Sequence, residues 1–78
     1  MITGLQIKAA RALLRLSAAE LAKQSGVSLS TIQRLERFDG IPPANMSSIM
    51  PLHEVFTKAG IEFLGTPDED PGVRLKTK

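Results

Sequence analysis

The chain has 78 residues, 42% hydrophobic and 23% charged, with a formal net charge of +2, one histidine and no cysteine. That is enough for one globular domain with a small core, and it excludes disulfides, thiolate metal sites and any histidine-pair metal site. The charge is uneven: residues 1–37 carry six basic and two acidic side chains, and residues 38–78 carry four and six, so the amino-terminal half suits a polyanionic partner.

Thr3 is placed to cap a first helix running to about Leu16. Ile7, Ala10 and Leu14 recur in it at helical spacing, and Leu13 and Leu16 widen the stripe. Lys8, Arg11 and Arg15 share another face. Ser17 followed by Glu20 is a capping box, opening a second helix from Ala18 to Gln24 or Ser25. Gly26 comes next, where a positive φ is wanted. Ser28 caps a third helix over residues 29–37. Two short helices joined by so few residues cross steeply, as in a helix-turn-helix. Residues 38–43 form a loop, turned at Asp39 and Gly40 and kept irregular by Pro42 and Pro43. Asn45 or Ser47 caps a fourth helix ending near Ala59, with Gly60 beyond it. Its apolar face is Ile49, Leu52, Val55, Phe56 and Ala59. Pro51 either lies in its first turn, behind a cap at Ser47 or Ser48, or bends one longer helix; the bent helix is favoured. After Gly60 the period changes, and residues 61–64 and 73–76 read as strands around an acidic turn from Gly65 to Gly72. A lone hairpin is barely stable, so it needs the helices beneath it or another chain beside it.

The informative segment is residues 17–37. Ala22 must be small where the third helix crosses, and Gly26 permits the reversal. Leu21, Val27, Ile32 and Leu35 close the angle between the helices. Ser28, Ser30, Thr31, Gln33, Arg34 and Arg37 then crowd the outside of the third helix. A helix held away from the body in this way can enter a major groove about 12 Å wide.

The run LSAAELAKQSGVSLSTIQRLE, residues 16–36, resembles the DNA-binding motif of the lambda-repressor-like, Xre/Cro-type helix-turn-helix family. The resemblance covers roughly residues 5–60. With the hairpin, it implies a mainly α fold: a lambda-repressor-like bundle of four to five helices with a short C-terminal β-hairpin. Residues 1–60 would be the DNA-binding domain, and residues 61–78 a hairpin for dimer or partner contact. That tail is similar to those of a subgroup of small bacterial and phage-type regulators. The implied activity is transcription regulation on double-stranded DNA in the cytoplasm, at the nucleoid, with no enzyme activity and no cofactor or metal. Ser28, Leu29, Ser30, Gln33 and Arg34 would face base edges or adjacent phosphates, with Thr31 in the same group. Arg34 suits guanine, Gln33 adenine, and Leu29 a thymine methyl. Lys23 and Arg37 fit phosphate contacts, as do the N–H groups of the second helix at its Ser17 cap. The resemblance also implies an architectural pair between Arg11 and Glu36. One departure is Ala18, where the family usually has a glutamine that contacts a phosphate. The 38–43 loop is also longer than the family's shortest version.

Other chemistry finds little support. Asp68, Glu69 and Asp70 read as a solvated turn rather than an acid–base pair. His53 reads as a packed or exposed helix residue, and Met46 and Met50 as gap-filling or interface residues. Glycine-rich phosphate motifs are absent. No apolar run approaches the roughly 20 residues that span a bilayer, and no signal peptide is expected. Twofold operators call for dimers, and a strand such as 73–75 can pair with another chain. A homodimer through the fourth helix and hairpin is therefore expected. The rival reading is an antitoxin-like or adaptor module whose tail grips a different protein.

Overall fold

Each of the first three helices starts at a hydroxyl. In the structure, a computed structural model describing residues 2–43 and 46–76, Thr3 Oγ1 accepts the Gln6 amide at 3.0 Å and Gln6 Oε1 accepts the Thr3 amide at 2.8 Å. This reciprocal cap opens α1, Gly4–Leu13. Ser17 and Glu20 make the same exchange at 3.0 and 2.9 Å to open α2, Ala18–Ser25. Ser28 Oγ accepts the Thr31 amide at 3.2 Å to open α3, Leu29–Leu35. Gly26 stands between α2 and α3 at φ 79°, its amide on the Ala22 carbonyl at 2.9 Å. A side chain there would be strained.

Two helices end earlier than their periodicity predicts. α1 stops at Leu13 because Arg15 turns left-handed at φ 56°. The Leu16 amide then bonds the Arg11 carbonyl at 3.0 Å and the Arg15 amide bonds that of Ala12 at 3.1 Å, which is a Schellman closure without glycine. Leu13 is consequently 43% exposed and lies outside the buried stripe, while Leu14 packs on the core. After α3, the Arg37 and Phe38 amides bond carbonyls three residues back, at 3.2 and 3.3 Å, so residues 36–38 form a tight tail rather than a further α-turn.

Helix α4, Met46–Lys58, is one continuous helix with Pro51 inside it. Ser47 is within it rather than at its cap, and the alternative cap, Asn45, lies outside the described residues. Ile49, Leu52 and Phe56 are buried, Val55 is half-buried, and Ala59 is exposed. Strands β1, Ile61–Leu64, and β2, Gly72–Leu75, pair antiparallel with Ile61 opposite Leu75 and Leu64 opposite Gly72. Gly72 thus joins the strand, and the connecting turn is residues 65–71. Arg74 grips Glu62 across the strands, and its guanidinium holds that carboxyl below its ordinary range.

Ile7, Ala10, Leu21, Ile32, Leu35, Leu52 and Phe56 have no exposed surface, and Ile2, Val27, Ile49 and Ile61 complete the core. Phe63, Val73 and Leu75 line the inner side of the hairpin and pack against it. Strand β2 lies on α1 and β1 on α4, so the helices supply the support the hairpin requires. Gln6 adds a polar fastening: its buried amide donates to the carbonyls of Gly72 at 2.9 Å and Leu64 at 3.2 Å.

Candidate nucleic-acid interface

The period of α3 divides its residues cleanly. Ile32 and Leu35 point into the core with no exposed surface. Leu29, Ser30, Gln33 and Arg34 are exposed, as are Ser28 before the helix and Arg37 after it, and Thr31 is half-buried. Leu29 is 39% exposed. At the start of α3 the Ser28 hydroxyl also donates to Thr31 Oγ1 at 2.8 Å and lies 3.4 Å from Ser30 Oγ, so three hydroxyls cluster there. Arg34 Nη1 donates to the Pro43 carbonyl at 3.1 Å. Ser17 and Lys23 are exposed at the two ends of α2.

Behind α3 stands Arg11. Its Nε and Nη2 donate to the two carboxylate oxygens of Glu36, both at 2.9 Å, and its Nη1 donates to the Leu16 carbonyl at 3.0 Å. The side chains are 22% and 10% exposed. The Glu36 hydrogen bond raises the Arg11 pKa, burial opposes it, and the Glu36 charge adds to the rise. The fork ties α1, the α1–α2 turn and the end of α3 together. Ala22 is half-buried against the core, and Gly26 forms the reversal already described.

Two further features escaped the sequence reading. A cleft between α1 and α3 has Lys8, Gln33 and Arg37 along it with Ala18 in its wall, and Leu5, Arg11, Glu36 and Asp39 complete its lining. The spacing of Lys8 and Arg11 was the available signal, but a solvated helix face has the same spacing. The second is the Pro43 carbonyl, a backbone atom that no side-chain pattern marks. A separate open groove over Ile2 and Ile49 is bordered by Met46, Met50, His53 and Phe63. His53 stacks on Phe63 with ring centres 5.3 Å apart. Among the described residues no three His, Asp or Glu side chains gather where a metal could bind. Among the same residues no buried side-chain polar atom lacks a partner, and no helix formed by them is long and apolar enough to cross a membrane.

A short capped helix, a left-handed glycine and a second helix with a buried seam and a polar outer face define a helix-turn-helix protein. The helix-turn-helix family model matches residues 7–47, more than half of the chain. The chain belongs to this family, the Xre/lambda-repressor-like group of DNA-binding regulators. The match runs from α1 into the first turn of α4 and leaves the hairpin outside. No curated protein is similar enough to the chain to count as a relative.

Proposed function

We propose that this protein is a sequence-specific transcriptional regulator that lays α3 in the major groove of double-stranded DNA, as a homodimer on a twofold-symmetric site. The observation that carries the reading is the exposed polar face of α3, fixed to a rigid body by Ile32 and Leu35. Arg34 reads guanine, Gln33 reads adenine, and Leu29 meets a thymine methyl. Ser28, Ser30 and Thr31 make the hydroxyl contacts beside them. Lys23, Arg37 and the α2 amides behind Ser17 bind phosphates. Lys8 joins Arg37 and partly replaces the contact that a glutamine at position 18 would make. Arg11, Glu36, Ala22 and Gly26 set the angle of α3. The protein works at the nucleoid, without cofactor and without catalysis. Residues 1–60 form the DNA-binding unit, and α4 with the hairpin forms the dimer interface, placing two α3 helices about 34 Å apart.

Selection of bound sites from random duplex DNA tests the reading. A palindromic consensus, with affinity falling steeply as salt rises, is the expected result. A flat salt response with no enriched sequence would refute it. Sedimentation at micromolar concentration separately tests the dimer, and a mass of one chain would remove it. The Met46–Met50 groove beside the hairpin favours one second reading, an antitoxin-like or adaptor role in which this face holds a different protein.

A further inference from the structure

Arg34 is the penultimate residue of α3, and its exposed guanidinium has a hydrogen-bond partner within the protein. That partner is the Pro43 carbonyl, nine residues along the chain, which accepts from Nη1 at 3.1 Å. The segment leading to that carbonyl is itself fastened. The Phe38 amide bonds the Leu35 carbonyl at 3.3 Å, and the Gly40 carbonyl accepts the Gly4 amide at 3.0 Å. Pro42 is buried, and two successive prolines fix φ at both positions. The loop that carries the acceptor is therefore tied to α3 at Phe38 and to α1 at Gly40, ahead of the two prolines.

We infer that the Pro43 carbonyl is a positioning group for base readout, holding one arm of the Arg34 guanidinium so that its remaining donors meet a guanine edge in a preset plane. This rests on the reading of Arg34 as a base reader and adds the group that orients it. An arginine recognises guanine through two parallel N–H donors, so the plane of the guanidinium decides the match. Immobilising a long side chain on binding ordinarily costs a factor of about three to ten in affinity. A side chain already braced in the free protein avoids most of that loss at the matched site. A bond serving only to steady the loop makes a different prediction: its removal lowers stability and leaves base preference intact.

The test uses the full chain, its selected duplex and the same duplex with the guanine under Arg34 replaced. Pro43→Gly keeps the carbonyl but releases the fixed φ that aims it, and is expected to reduce discrimination between the two about three- to tenfold. Its affinity for random duplex and its salt slope should match those of the wild type. In an Arg34→Ala background, Pro43→Gly should change discrimination no further. Nitrogen-15 relaxation of the Arg34 Nε in the DNA-free wild type supplies a readout that needs no variant, and restriction close to that of the backbone is expected. A freely mobile Nε in the wild type overturns the inference, and so does full discrimination by a Pro43→Gly chain in which relaxation shows the Arg34 Nε to have become mobile, with DNA recognition left standing in either case. A wild-type chain that selects no DNA sequence removes the inference and the underlying reading together.

Discussion

A methyl group at Gly4 would stand 2.0 Å from the Phe38 carbonyl oxygen and 2.4 Å from that of Leu35. Both are backbone atoms, one at the last residue of α3 and one in the tail behind it, so neither can swing aside. Gly4→Ala is therefore expected to cost about 3 kcal/mol or more, measured by urea unfolding, because the first turn of α1 must move off α3. Arg34 poses the opposite case, an exposed residue whose loss leaves the core untouched. Arg34→Ala should keep the wild-type melting temperature within a degree or two but lose about 1–3 kcal/mol at the cognate site. An equal loss on random duplex would make Arg34 a phosphate contact and not a base reader. The two predictions separate a residue that shapes the body from one that uses the finished surface.

At the scale of elements, the caps decide where helices begin and how they respond to acid. The Glu20 carboxyl is held below its ordinary value by the Ser17 amide, with the Ser17 hydroxyl adding to the effect and burial opposing it. Its folded pKa lies below its unfolded one, so its contribution is present above about pH 4.5, the ordinary value, and fades as pH falls through the folded pKa. Glu20→Gln should thus show a shallower decline in urea midpoint between pH 7 and pH 3 than the wild type. A decline of the same steepness would detach the cap from acid sensitivity. Arg15 offers a gain instead: at φ 56° it occupies a conformation that costs a non-glycine residue about 1–2 kcal/mol. Allowing for the greater freedom of glycine in the unfolded chain, Arg15→Gly should stabilise by about 0.5–1 kcal/mol, seen as a melting temperature a few degrees higher. These elements show what the sequence could disclose. Ser17, Glu20, Gly26 and Ser28 were legible because caps and reversals act over three or four residues. The same holds for the Ile32–Leu35 seam and the exposed set on α3, which follow from helical period alone. The stop at Leu13 was not legible, because an arginine carries no mark of a left-handed turn. The Arg34 brace and the Lys8 cleft were hidden too, since each depends on segments meeting in space.

In the whole molecule, the hairpin is fixed to the helices by packing and by one side chain. Gln6 serves the α1 cap with its oxygen and two strand carbonyls with its nitrogen. Gln6→Leu keeps the volume but withdraws those donors from buried surroundings, so a loss of about 2 kcal/mol is expected. Hydrogen exchange should show the amides of β1 and β2 losing protection before those of α2 and α3. Uniform loss across the chain would mean that hairpin and helices unfold only together. The same side chain also bears on the order in which the protein is built. Its two acceptors lie 58 and 66 positions downstream. During synthesis, α2 and α3 are complete while the strands that finish the binding site of Gln6 are still inside the ribosome. The reading helices thus leave the ribosome ahead of the strands, but closure of the fold must wait until residue 72 has emerged.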